Sequence, residues 1–122
     1  MAKVLIVDDD VVLGRFLQIG LGRSGHDVRL AHNRDQAYVI APDFRPDVLI
    51  VDWMPTNHVD GVDLAQVLRK GLPDLRVVLI TGYPCEAVER KAATAKIAPI
   101  LVKPVGLADL TGAIEEATRG NV

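Results

Sequence analysis

Three aspartates, a threonine and a lysine stand where apolar runs give out. Asp8 and Asp9 follow Val4-Leu5-Ile6-Val7, and Asp52 follows Val48-Leu49-Ile50-Val51. Thr81 follows Val77-Val78-Leu79-Ile80, and Lys103 follows Ile100-Leu101-Val102. If these runs are strands of one parallel sheet, their C-terminal ends share a rim, where ligand sites form. Carboxylates about 4 Å apart repel by roughly 1 kcal/mol in water and about 4 kcal/mol near a protein surface. Such a cluster either raises a pKa or recruits a cation. Donors that are all oxygen, with no His or Cys among them, point to a hard divalent ion, most naturally Mg²⁺ retaining several waters. The metal does not explain Thr81 and Lys103. A hydroxyl and an ammonium suit the oxygens of an arriving phosphoryl group, with the metal neutralising the remaining charge. Asp52 is then the nucleophile candidate, because an aspartate can carry a phosphoryl group as an acyl phosphate.

Such a rim needs strands alternating with helices. Val4–Val7 reads as a strand buried on both faces. Asp10 is placed to cap the next helix, whose expected buried stripe is Leu13, Phe16, Leu17 and Leu21, with Gly25 as C-terminal cap. Asp27-Val28-Arg29-Leu30-Ala31 alternates and reads as an edge strand with one wet face. A second helix is expected from about Asn33 to Ala41 or slightly beyond, closed by Pro42 and Pro46. After Val48–Val51, Asp60 or Gly61 starts a third helix carrying Val62, Leu64, Ala65 and Leu68, ended by Gly71 and Pro73. After Val77–Ile80, Pro84 fits the opening turn of an alanine-rich fourth helix whose register the sequence leaves open. Pro99 suits the edge position before the last strand. The final helix carries Leu107, Leu110, Ile114 and Ala117 and stops near Gly120. Five strand–helix alternations with short connections and right-handed crossovers give an α/β domain: a five-stranded parallel sheet, doubly wound, with helices on both faces.

The chain has 122 residues, 49% apolar but only 4% aromatic, so one domain with an aliphatic core is expected over 1–122. A net charge of −2 gives no electrostatic reason to expect nucleic-acid binding. The single cysteine, Cys85, rules out an internal disulfide and suits a reducing compartment. No apolar run has the length of a signal peptide or a membrane span, so a soluble, cytoplasmic protein without membrane contact is expected.

Taken together, V-L-I-V-D-D-D, V-L-I-V-D-W-M-P with a later D-G, L-I-T-G and L-V-K-P resemble the response-regulator receiver domain of two-component signalling, along essentially the whole chain. The resemblance implies a flavodoxin-like strand order 2-1-3-4-5. It implies that Asp8 and Asp9 hold Mg²⁺ with Asp52 and the backbone carbonyl of Met54. Asp52 would accept phosphoryl from a histidine kinase or phosphotransfer protein, and Thr81 and Lys103 would contact the phosphoryl group, with Lys103–Pro104 cis and the small Gly82 leaving room. Signalling would pass to a downstream protein target or output domain. The chain would catalyse its own phosphorylation and slow dephosphorylation and no other turnover.

Three departures from the family bear on this. Only Trp53 separates Asp52 from Met54-Pro55, where two residues are usual, and Asp60-Gly61 comes late. Met54 precedes proline and is pushed towards extended backbone, which bears on metal affinity. Ile100 stands three residues before the lysine, where an aromatic residue is usual, and Val105 follows Lys103-Pro104 where Phe is common. By the resemblance, Met54 and Tyr83 flank the path of the hydrolytic water. Both are bulky, so self-dephosphorylation should be slow. Two competing readings are a pseudo-receiver that binds partners without phosphorylation, motivated by the Met54-Pro55 loop, and a small Mg²⁺-dependent phosphatase. The phosphatase ordinarily needs a second aspartate two residues past the nucleophile, where this chain has Met54.

Other features have plainer explanations. Gly20-Leu21-Gly22-Arg23-Ser24-Gly25 matches G-x-G-x-x-G but ends a helix and precedes a strand, the reverse of a dinucleotide site. His26, His32, His58 and Cys85 lack metal-ligand spacing. Trp53 is either a core or a surface aromatic, and beside Asp52 it is placed to report metal binding by fluorescence.

Overall fold

A computed structural model describes residues 2–53, 61–82, 85–97 and 100–119. Met54, Pro55, His58, Asp60, Tyr83, Pro84, Pro99 and Gly120 lie outside these residues, and so do the expectations that rest on them. The elements alternate as expected: β1 (Lys3–Val7), α1 (Val11–Arg23), β2 (Asp27–Ala31), α2 (Arg34–Phe44), β3 (Val48–Trp53), α3 (Gly61–Gly71), β4 (Arg76–Thr81), α4 (Glu86–Thr94), β5 (Ile100–Val102) and α5 (Leu107–Arg119). All pairings are parallel and the strand order is β2-β1-β3-β4-β5, the flavodoxin-like arrangement.

Side-chain alternation along the central strands divides the core into two layers. Leu5, Val7, Leu49, Val51, Val77 and Leu79 pack with α2, α3 and α4 through Ala37, Ala41, Leu64, Leu68, Val88 and Ala92. Val4, Ile6, Val48, Ile50, Val78 and Ile80 pack with α1 and α5 through Leu17, Leu21, Leu110 and Ile114. Val4–Val7, Val48–Val51 and Val77–Ile80 are apolar at every position because both faces of the sheet are covered there. No helix among the described residues is long and apolar enough to cross a membrane.

Several local expectations need correction. Phe16 is 56% exposed and does not belong to the buried stripe of α1, which consists of Gly14, Leu17 and Leu21 with Leu13 at its margin. At 100° per residue Phe16 lies well round the helix from Leu17 and Leu21, and the missing side chain at Gly14 lets the helix approach Leu30 of β2. Pro42 does not close α2 but lies inside it, and the helix runs on to Phe44. A proline this near the C-terminus forfeits one backbone bond, and Arg45, left-handed at φ 52°, ends the helix by donating its N–H to Ala41. β3 does not stop at Asp52 but includes Trp53. Asp10 and Asn33 cap as their types suggest, accepting from the N–H groups of Leu13 and Gln36. Gly25, at φ 97°, follows α1 and donates to Gly22, the left-handed position that suits glycine.

Candidate functional site

β1 and β3 are neighbours at the centre of the sheet, and their C-terminal ends deliver Asp8, Asp9 and Asp52 to one point. One carboxylate oxygen from each lies within 4.8 Å of the other two. Asp8 and Asp52 are buried and Asp9 is exposed. The cluster is oriented from its own chain: the Asp10 N–H donates to Asp8 Oδ1 at 2.9 Å, while the Asp8 N–H donates to the Ala31 carbonyl of β2 at 3.0 Å. The turn into α1 thus aims the first carboxylate while Asp10 caps the helix.

β5 brings the cation. Lys103 Nζ donates to Asp52 Oδ2 at 2.5 Å and stands 4.0 Å from Asp8 Oδ2. Its backbone N–H donates to the Thr81 carbonyl at 2.8 Å, which ties the end of β5 to the end of β4. The Lys103–Pro104 peptide is cis, as the resemblance implied. Lys103 therefore has a partner within the protein, the Asp52 carboxylate.

The electrostatics follow from burial and crowding. Loss of solvent raises the Asp52 pKa to about 6; the bond from Lys103 works the other way, and the charges of Asp8 and Asp9 add to the rise. Asp8 is raised as well, chiefly by burial, with the Asp10 N–H and Lys103 opposing. Burial alone works to lower the Lys103 pKa, but its bond to Asp52 and the surrounding carboxylates outweigh this and raise it. The donor set is three carboxylates and no nitrogen or sulfur, which fits a hard divalent cation such as Mg²⁺.

Thr81 is fully buried at the end of β4. Its Cα partner is Trp53, whereas that of Asp52 is Ile80. Alternation therefore sets Thr81 and Trp53 side by side on the α3–α4 face, and Asp52 on the α1–α5 face. Of the residues singled out in the sequence, the structure gathers Asp8, Asp9, Asp52 and Lys103 and places Thr81 on the adjacent strand at the same rim. Met54, expected to offer its carbonyl to the metal, lies outside the described residues. Gly82 leaves open space, its nearest neighbour being Lys103 Cδ at 3.9 Å from an added Cβ. Ile100 is half-buried against the α3–α4 core, and Val105 packs against the α1–α5 core. The sequence did not disclose a cavity of about 410 Å³ beside Lys103, lined by Asp10, Leu13, Leu17, Ile80, Gly82 and Val105 among others. No motif marks it, because it arises between the start of α1 and the turn into α5.

Residues 4–115 match the response regulator receiver domain family. The chain is 32% identical to the response regulator receiver protein CpdR of Brucella abortus over 116 residues, covering 95% of this chain and 96% of CpdR. It is 30% identical to the DNA-binding transcriptional regulator NtrC of Azospirillum brasilense over 98% of this chain, but spans only 25% of NtrC. A response regulator of Burkholderia pseudomallei, solved with a phosphorylated aspartic acid, calcium ion and citrate, superposes with a TM-score of 0.85 at 30% identity, over 99% of this chain and 71% of that one. The chain therefore belongs to the response regulator receiver domain family of two-component signalling.

Proposed function

We propose that Asp52 accepts a phosphoryl group from a phosphohistidine on a kinase or phosphotransfer protein. The observation that carries this is one carboxylate bonded to Lys103 at 2.5 Å and clustered with Asp8 and Asp9. An Asp52 oxygen attacks phosphorus, the new P–O bond forming as the P–N bond breaks, and the imidazole leaves with the electron pair. Asp52 is mostly ionised above pH 6 and so available as nucleophile at neutral pH. Asp8, Asp9, Asp52 and the Met54 carbonyl would hold Mg²⁺, which when bound supplies positive charge against the phosphoryl oxygens. Lys103 shifts from Asp52 onto a phosphoryl oxygen, and Thr81, buried at the end of the adjacent strand, turns towards the rim for its hydroxyl to donate to another. The phosphorylated aspartate and calcium ion of the similar Burkholderia protein support this assignment.

The chain is then a signalling acceptor rather than a turnover enzyme. It works in the cytoplasm and speaks to a downstream protein or an output domain. CpdR, spanned almost in full, favours a free-standing partner-binding form, while NtrC, spanned by a quarter, favours a part of a longer protein. The test is intact mass after incubation with Mg²⁺ and a small phosphoryl donor. One phosphoryl gained by the wild type and none by Asp52→Asn is expected; no gain from donor or kinase overturns the assignment. No observation favours the pseudo-receiver, whose motive was the Met54-Pro55 loop. Once formed, the acyl phosphate should be long-lived, because Met54 and Tyr83 are bulky. A double substitution Met54→Asn, Tyr83→Glu should shorten its half-life, and an unchanged half-life would count against that idea.

A further inference from the structure

The side of the sheet opposite Asp52 carries a contact that the phosphoacceptor reading leaves unused. Trp53 is half-buried against the α3–α4 core, and Lys91 Nζ of α4 lies 5.8 Å from the centre of its ring. The same ammonium is 3.3 Å from Asp63 Oδ1 in the first turn of α3. Lys91 thus joins three elements: α4, α3 and the strand that bears Asp52.

α4 is held weakly elsewhere. It is the shortest helix among the described residues, Glu86–Thr94, and buries only Val88 and Ala92. Cys85 at its N-cap gives no side-chain bond to the helix. The far end is pinned, because Arg69 of α3 donates from Nη1 to the Ala95 carbonyl at 3.0 Å and from Nε to the Leu75 carbonyl at 3.2 Å. α4 is therefore tied by a side chain at its C-terminal end and carries no side-chain cap at its N-terminal end. Beside the buried Val88 and Ala92, Lys91 adds a polar tie from α4 to α3 and β3.

We propose that Trp53, Lys91 and Asp63 form a latch that holds α4 against α3, and that loading Asp52 with phosphoryl releases it. The inference rests on the phosphoacceptor reading and adds how α4 senses it. Asp52 and Trp53 are consecutive in β3, so their side chains stand on opposite faces, and the end of the strand acts as a lever between them. A rearrangement of β3 around a newly bulky, more negative Asp52 turns the Trp53 ring, which stands beside Thr81 on the α4 side. The latch is weak enough to serve as a switch. An exposed ion pair and a cation–π contact together bias an equilibrium by roughly tenfold, which a change at Asp52 can reverse.

The experiment follows α4 by amide hydrogen exchange and Trp53, the single tryptophan, by its emission. Wild type and Lys91→Met are compared before and after Mg²⁺ and a small phosphoryl donor, with loading verified by intact mass. Methionine keeps the stem and removes the charge, and Lys91 lies outside the acceptor site, so both proteins should load alike. In the wild type, loading should shift the emission and raise exchange over residues 86–94 by roughly tenfold, the size of the bias the latch supplies. In Lys91→Met that exchange should be raised before loading, with little further change after it. Asp63→Asn should behave as Lys91→Met does. A wild type that gains the phosphoryl mass with α4 unchanged overturns the latch and leaves the acceptor reading standing. So does a Lys91→Met protein whose unloaded α4 exchanges as slowly as the wild type's. Absence of any mass gain overturns the acceptor reading, and the release step falls with it.

Discussion

Asp52 is held at a pKa of about 6 by burial first, against the opposing bond from Lys103 and with the help of Asp8 and Asp9. In the unfolded chain the same group titrates near 3.8. Between these values the folded protein binds the proton more tightly, so stability falls as pH rises from about 4 to about 6 and stays reduced above it. At about 1.36 kcal/mol per unit, the cost at pH 7 is at most roughly 3 kcal/mol. Asp52→Asn should therefore be more stable than the wild type at pH 7 by about 1–3 kcal/mol, and no more stable at pH 4. Urea unfolding in chelator at the two pH values measures the difference. Lys103→Met should act in the opposite sense, since it leaves two buried carboxylates without their cation, and should destabilise by about 1–3 kcal/mol at pH 7. These residues were legible as a group because each ends an apolar run. Their pairing was not: nothing in the spacing of Lys103 and Asp52 says that the amine bonds to the carboxylate, which follows from the order of strands at the rim.

At the scale of elements, α1 shows how far periodicity carries. The stripe Leu13, Leu17 and Leu21 is readable, but Phe16, which the same spacing of three and four admits, faces solvent. The misplaced aromatic and the unforeseen buried Gly14 have one cause: a glycine that lets a helix sit close to a strand carries no hydrophobic signal. The same logic separates two other glycines of this helix. A Cβ on Gly20 would fall 2.5 Å from Leu107 Cδ1 of α5, whereas one on Gly22 meets nothing within 4 Å. Both pay the helical cost of glycine, about 1 kcal/mol relative to alanine. Gly22→Ala should therefore stabilise by about 0.5–1 kcal/mol, while Gly20→Ala should gain nothing or lose stability as Leu107 is displaced. Thermal and urea unfolding of the two variants side by side decide this. Pro42 teaches the complementary lesson. Proline forbids helix in the interior, but one turn from the end its missing bond is tolerable, and the helix ends where Arg45 turns left-handed instead.

For the molecule as a whole, the sheet and the site are one construction. Alternating strands and helices were readable from runs and breakers, and right-handed crossovers then left few topologies. What the runs alone did not give was which strands are neighbours; that order came with the resemblance, and it decides that Asp8, Asp9 and Asp52 meet at adjacent strands β1 and β3. A cation bound there would tie the two central strands together and relieve the carboxylate repulsion that adds to the burial-driven rise of Asp8 and Asp52. An ion that binds the folded but not the unfolded chain stabilises by RT ln(1 + [L]/Kd), about 2.7 kcal/mol at a hundredfold excess over Kd. The Tm should therefore climb with the logarithm of Mg²⁺ concentration and fall back on chelation. Because Asp52 takes up a proton near pH 6, acid should compete with the metal, so the climb should be steep at pH 7.5 and nearly absent at pH 5. Asp8→Asn should flatten it at both. Scanning calorimetry over a Mg²⁺ series at the two pH values measures all three outcomes. A wild-type Tm indifferent to Mg²⁺ at pH 7.5 would mean that the carboxylates are balanced by Lys103 alone.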